Sequence, residues 1–66
     1  MSKPDWGSAP KWAKYVACDR DGVWRWHRLK PRLCWRSWSS GGDQSEPTGV
    51  ISRNFDGWNA SMEKRP

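Results

Sequence analysis

A chain of 66 residues with seven tryptophans and a net charge of +5 has room for one small domain. Leu, Ile, Val and Phe together supply only seven residues, so a core has to be built from tryptophan rings, each able to bury roughly 150–250 Å². This excludes a two-domain protein, a Rossmann or barrel enzyme and a coiled coil, and the longest apolar run, Tyr15 to Cys18, is far below the ~20 residues of a membrane span.

Residues 1–13 hold two prolines and two tryptophans and read as an arm that packs on the sheet. Ser8 is placed to cap a short helical turn reaching Ala13, with Pro10 tolerated in its first turn. The opening MSKPDWGSAP has no apolar stretch, so no secretory signal is expected and the expected compartment is a cytosol. Residues 14–18 form a strand candidate around Tyr15 and Val16. Asp21-Gly22 is a tight-turn signal, because glycine accepts the positive φ such turns need.

Residues 23–29 read as a second strand, with Trp24, Trp26 and Arg28 on one face and Val23, Arg25, His27 and Leu29 on the other. Pro31 interrupts the run, and residues 32–38 are expected as a third strand. Residues 39–48, rich in Ser and Gly, read as a flexible loop. Residues 49–55 could form a short fourth strand, 54–57 carry another turn signal, and 63–66 are expected to fray. The expected fold is mostly β: a small three- to four-stranded antiparallel meander with a Trp-rich core and little helix. A sheet this small needs a cover on one face, and Trp6, Trp12 and Trp58 are the available covers. Four or five of the seven tryptophans are expected to be substantially buried.

The charge is unevenly placed. Arg20, Arg25, Arg28, Lys30, Arg32 and Arg36 are opposed within their stretch only by Asp21, so the whole excess of +5 lies between Arg20 and Arg36. Arginine forks phosphate and lies flat on aromatic faces, and tryptophan stacks bases. Arg25, Arg28, Lys30, Arg32 and Arg36 are therefore the expected contacts to a nucleic acid, with Trp38 as the stacking ring. Trp and Arg are also what protein interfaces are built around, so an acidic protein is the alternative partner for the same surface.

No catalytic constellation is visible. His27 could serve Cys18 or Cys34 as a base, but no third group orients it, and the chain is read as non-enzymatic. Cys18, His27 and Cys34 lack zinc spacing, so no metal, cofactor or small-molecule substrate is expected, and the two thiols are expected to be free.

The order of several residues resembles a family of small tryptophan-rich phage proteins. Asp5-Trp6, Ala9-Pro10, Trp12-Ala13, Asp19, Asp21-Gly22, Trp24, Trp26, Lys30-Pro31 and the run from Trp58 to Pro66 occupy the matching places. Met62 stands where the pattern usually has leucine, and the arginine density from Arg25 to Arg36 exceeds that of the pattern. The resemblance implies a fold and a phage or prophage origin, hence a host cytoplasm. It implies no catalytic or binding residue. The functions it leaves are a nucleic-acid-binding accessory protein, a modulator of a host protein, or a small virion component.

Overall fold

The two central strands form where the chain is rich in β-branched and aromatic residues. The computed structural model describes residues 3–53 and 55–66. Six strands appear in chain order: β1 (Tyr15–Cys18), β2 (Val23–His27), β3 (Arg32–Leu33), β4 (Trp38–Ser39), β5 (Ser45–Ile51) and β6 (Glu63–Lys64). Two short 3-10 turns, Trp6–Ser8 and Asp56–Ala60, are the only helical pieces among the described residues. The fold is thus mostly β and antiparallel, with one four-stranded sheet and one two-stranded ribbon.

The large sheet has the order β5-β2-β1-β6. Only β1 and β2 are joined as chain neighbours; the two late strands add to the outer edges. The β1–β2 pair has Val16 opposite Trp26 and Cys18 opposite Trp24, so these four side chains share one face. With Ala13 they form the buried core, and Trp6, Ala9, Trp12, Val50, Phe55 and Trp58 pack against it. Five of the seven tryptophans therefore build one cluster, and the rings outside the strands cover the sheet. Trp6 lies 5.1 Å from Trp26, and Phe55 stacks on Trp24 at 5.9 Å.

The turn after β1 carries Gly22 at φ +92, and the Gly22 N–H donates to Asp19 O at 2.9 Å. Asp21 Oδ1 accepts from Val23 N–H at 3.1 Å and closes the turn from its other side. Two packed indoles find polar partners: the buried Trp24 Nε1 donates to Ser52 Oγ at 3.0 Å, and the half-buried Trp38 Nε1 to the Trp58 carbonyl at 2.9 Å.

Four expectations need correction. The N-terminal 3-10 turn is capped by Asp5, whose Oδ1 accepts from Gly7 N–H at 3.0 Å, and lies at Trp6–Ser8; the Ser8-to-Ala13 segment expected to hold it closes only a single turn, with Ala13 N–H donating to Pro10 O at 3.0 Å. Residues 32–38 are not one strand. They fold back as the β3–β4 hairpin, with Leu33 opposite Trp38 and Cys34 N–H donating to Ser37 O at 2.8 Å. Part of the expected loop at 39–48 is strand, because β5 starts at Ser45 and pairs with β2. Its Pro47 is tolerated since β5 is an edge, and its spare residues are absorbed by a bulge: Val23 faces Ile51, yet Arg25 faces Pro47.

The tail expected to fray instead pairs as β6 on β1. Arg65 fastens it: its N–H donates to Lys14 O at 2.7 Å, and Nη1 donates to Pro10 O at 3.0 Å and Ala13 O at 2.8 Å. The Arg65 guanidinium also lies over Trp6, 5.6 Å from the ring centre. The first two positions of the N-terminal arm and Asn54 of the expected 54–57 turn lie outside the described residues.

Candidate nucleic-acid interface

The basic stretch is divided by the fold into groups with different partners. Arg25 stands on β2 opposite Ala17, on the sheet face away from the tryptophan core, and is half-buried. Its charge reaches both Asp19 and His27. Arg28 is paired. Its Nε and Nη2 donate to Asp43 Oδ2 at 3.0 Å and Oδ1 at 2.6 Å, a two-pronged bridge that holds the Asp43 carboxyl below its usual range. Lys30, Arg32 and Arg36 are exposed, and among the described residues none of them forms an ion pair.

Trp38, expected as the stacking ring, is committed elsewhere. It is half-buried, its indole N–H is taken by Trp58, and its backbone N–H donates to Asp19 Oδ1 at 3.0 Å. The free ring is Trp35, 79% exposed at the tip of the β3–β4 hairpin. Trp35 and Arg36 are the two central residues of that tip, between Cys34 and Ser37. Alternation along 32–38 puts Trp35 on a shared face with Leu33.

The hairpin is tied to the main sheet at its tip and at its return strand. Arg20 N–H donates to Arg36 O at 3.1 Å, and the Asp19–Trp38 bond holds the start of β4. Asp19 is buried, and burial raises its carboxyl above the usual range despite the N–H it accepts from Trp38. Arg20 thereby joins the basic group beside Arg36. Charge alone marked it, but its neighbourhood was invisible until the turn and the hairpin met.

His27 is 1% exposed. Its Nδ1 lies 3.4 Å from Ser40 Oγ, and its Nε2 has no partner. Burial, then the charge of Arg25, lowers its pKa. Cys18 and Cys34 are free thiols, the first buried and the second exposed. Among the described residues, no carboxylate is hydrogen-bonded to His27 to orient it as a base for either thiol.

The described residues contain no group of three metal-binding side chains, and no helix of theirs is long and apolar enough to cross a membrane. The fold and this surface define a small antiparallel β domain with a basic, tryptophan-tipped hairpin. Compared with known proteins, the chain matches no family model, no curated sequence and no solved structure.

Proposed function

We propose that the chain is a non-enzymatic accessory protein, of phage or prophage origin and acting in the host cytoplasm, that binds single-stranded nucleic acid through the β3–β4 hairpin. The observation that carries the reading is Trp35: a ring 79% exposed beside Arg36, in a stretch that adds Lys30 and Arg32 without acidic partners. A base stacked on an exposed indole contributes about 1–3 kcal/mol. Lys30, Arg32 and Arg36 supply the phosphate contacts, which give affinity without sequence preference.

Tryptophan fluorescence during titration with a dT8 oligonucleotide tests this. Saturable quenching that weakens with salt is expected, and Trp35→Ala should remove most of it while Trp38→Phe changes it little. Absence of any response at low salt overturns the reading. The acidic host protein would then lead, favoured by the exposure of Leu29 and Leu33 beside the same cations.

A further inference from the structure

We propose that the cleft between the turn after β1 and the hairpin tip is a seat for one phosphodiester group, gripped by Arg20 and Arg36. This deepens the nucleic-acid reading and rests on it for the source of the phosphate. The cleft is open to solvent, holds about 490 Å³, and is lined by Arg20, Asp21 and Arg36.

Three features make it more than two nearby cations. The backbones that carry the arginines are bonded to each other, Arg20 N–H to Arg36 O at 3.1 Å. The Asp19–Trp38 bond fixes the same two segments a second time, so the spacing of the two backbones that carry the arginines is set before a ligand arrives. Among the described residues, neither guanidinium is engaged in an ion pair, which leaves both forks available for oxygen.

Asp21 tempers the grip. Its Oδ1 is held by Val23 N–H at 3.1 Å, so its carboxylate is a fixed negative charge on the wall of the cleft. Two arginines and one aspartate leave a net +1, so the seat attracts a phosphodiester less strongly than the arginine pair alone would. The seat adjoins Trp35, the residue before Arg36, so a strand with one phosphate in the cleft brings a neighbouring base to the exposed ring.

The test measures dT8 affinity for wild type, Arg20→Gln, Asp21→Asn and, as a charge control, the exposed Lys64→Gln. Arginine Nε–H signals are followed by NMR with dT8 and dimethyl phosphate. Arg20→Gln should weaken dT8 binding roughly tenfold, and Lys64→Gln by no more than about twofold. Asp21→Asn keeps the oxygen that Val23 needs and removes the charge, so it should tighten binding. The Arg20 and Arg36 signals should move together with dT8.

If dT8 binds but Arg20→Gln weakens it no more than Lys64→Gln, the seat is overturned and the nucleic-acid reading stands. If dT8 fails to bind while dimethyl phosphate shifts the Arg20 and Arg36 signals together, the seat stands and that reading falls. Weaker binding by Asp21→Asn also overturns the seat, since the carboxylate would then be reading a donor on the ligand.

Discussion

Cys18 and Cys34 carry the same thiol and are given opposite chemistry by their surroundings. Cys18 is fully buried, its Sγ 3.4 Å from the Asp19 carbonyl, and burial followed by the charges of Asp19 and Asp21 raises its pKa to about 11. Cys34 is exposed. Iodoacetamide at pH 8 should therefore add one label per chain, at Cys34, and the second only in denaturant; mass spectrometry showing both labelled at similar rates in the native protein would contradict this burial. His27 gives a prediction of the same kind with a defined sign. It is the only histidine, so its imidazole NMR signal is unambiguous, and its midpoint should fall below 6.5. The unfolded chain binds its proton near 6.5 and the folded chain only at lower pH. The His27 contribution to stability is thus complete above pH 6.5, declines as pH drops toward the folded pKa, and is not lost further below it. A midpoint at or above 6.5 would mean that Nε2 has found a partner.

At the scale of elements, the turn between β1 and β2 is the joint on which the sheet depends. Gly22 has φ +92, and a Cβ there would stand 2.5 Å from Ser52 O, whose own N–H donates to Gly22 O at 2.8 Å. Gly22→Ala should therefore cost about 2–4 kcal/mol, combining backbone strain with a clash that pushes the end of β5 from the sheet. Gly41 has φ +67 but open space around it, so Gly41→Ala should cost only about 1 kcal/mol. Urea unfolding of the two variants checks the contrast, and equal midpoints would show that the Ser52 contact does not matter. The same turn explains what could be read from the sequence. Asp-Gly between two aromatic, β-branched runs is a local signal, so β1, the turn and β2 were legible, as were Trp6, Trp12 and Trp58 as covers. The β3–β4 hairpin was not, because its reversal is set by Asp19 holding Trp38 and Arg20 holding Arg36, partners 19 and 16 positions away. The first half of β5 read as loop because Ser and Pro are tolerated on an edge that needs no second partner. The polar tail hid β6 because Arg65 anchors it through carbonyls and Trp6, with no apolar side chain to show it. In the candidate site, the cations were legible as charge; the choice of Trp35 over Trp38 and the entry of Arg20 depended on that hairpin.

Over the whole molecule, the count of 12 basic residues overstates the cations a ligand meets. Arg28 is already matched by Asp43, Lys3 by Glu63 at 2.5 Å, and Arg65 is spent on backbone carbonyls. Arg25 is half-buried against the sheet. The exposed, unmatched cations around the hairpin are Arg20, Lys30, Arg32 and Arg36. If these four carry the phosphate contacts, each should release about 0.7 of a counterion from a single strand, so the logarithm of the dT8 association constant should fall against the logarithm of salt with a slope near −3. Counting all six basic residues of the stretch would instead give about −4. Among single arginine-to-glutamine variants, Arg28→Gln should alter the slope least, because its charge is cancelled before any strand arrives, and Arg36→Gln should flatten it by about 0.7. The measurement needs only the salt series for three proteins. A slope that stays near zero would show that binding, if seen, is carried by Trp35 and apolar contact alone. One near −4 that Arg28→Gln flattens would mean the strand displaces Asp43, and the bridge would then be a latch that opens on binding.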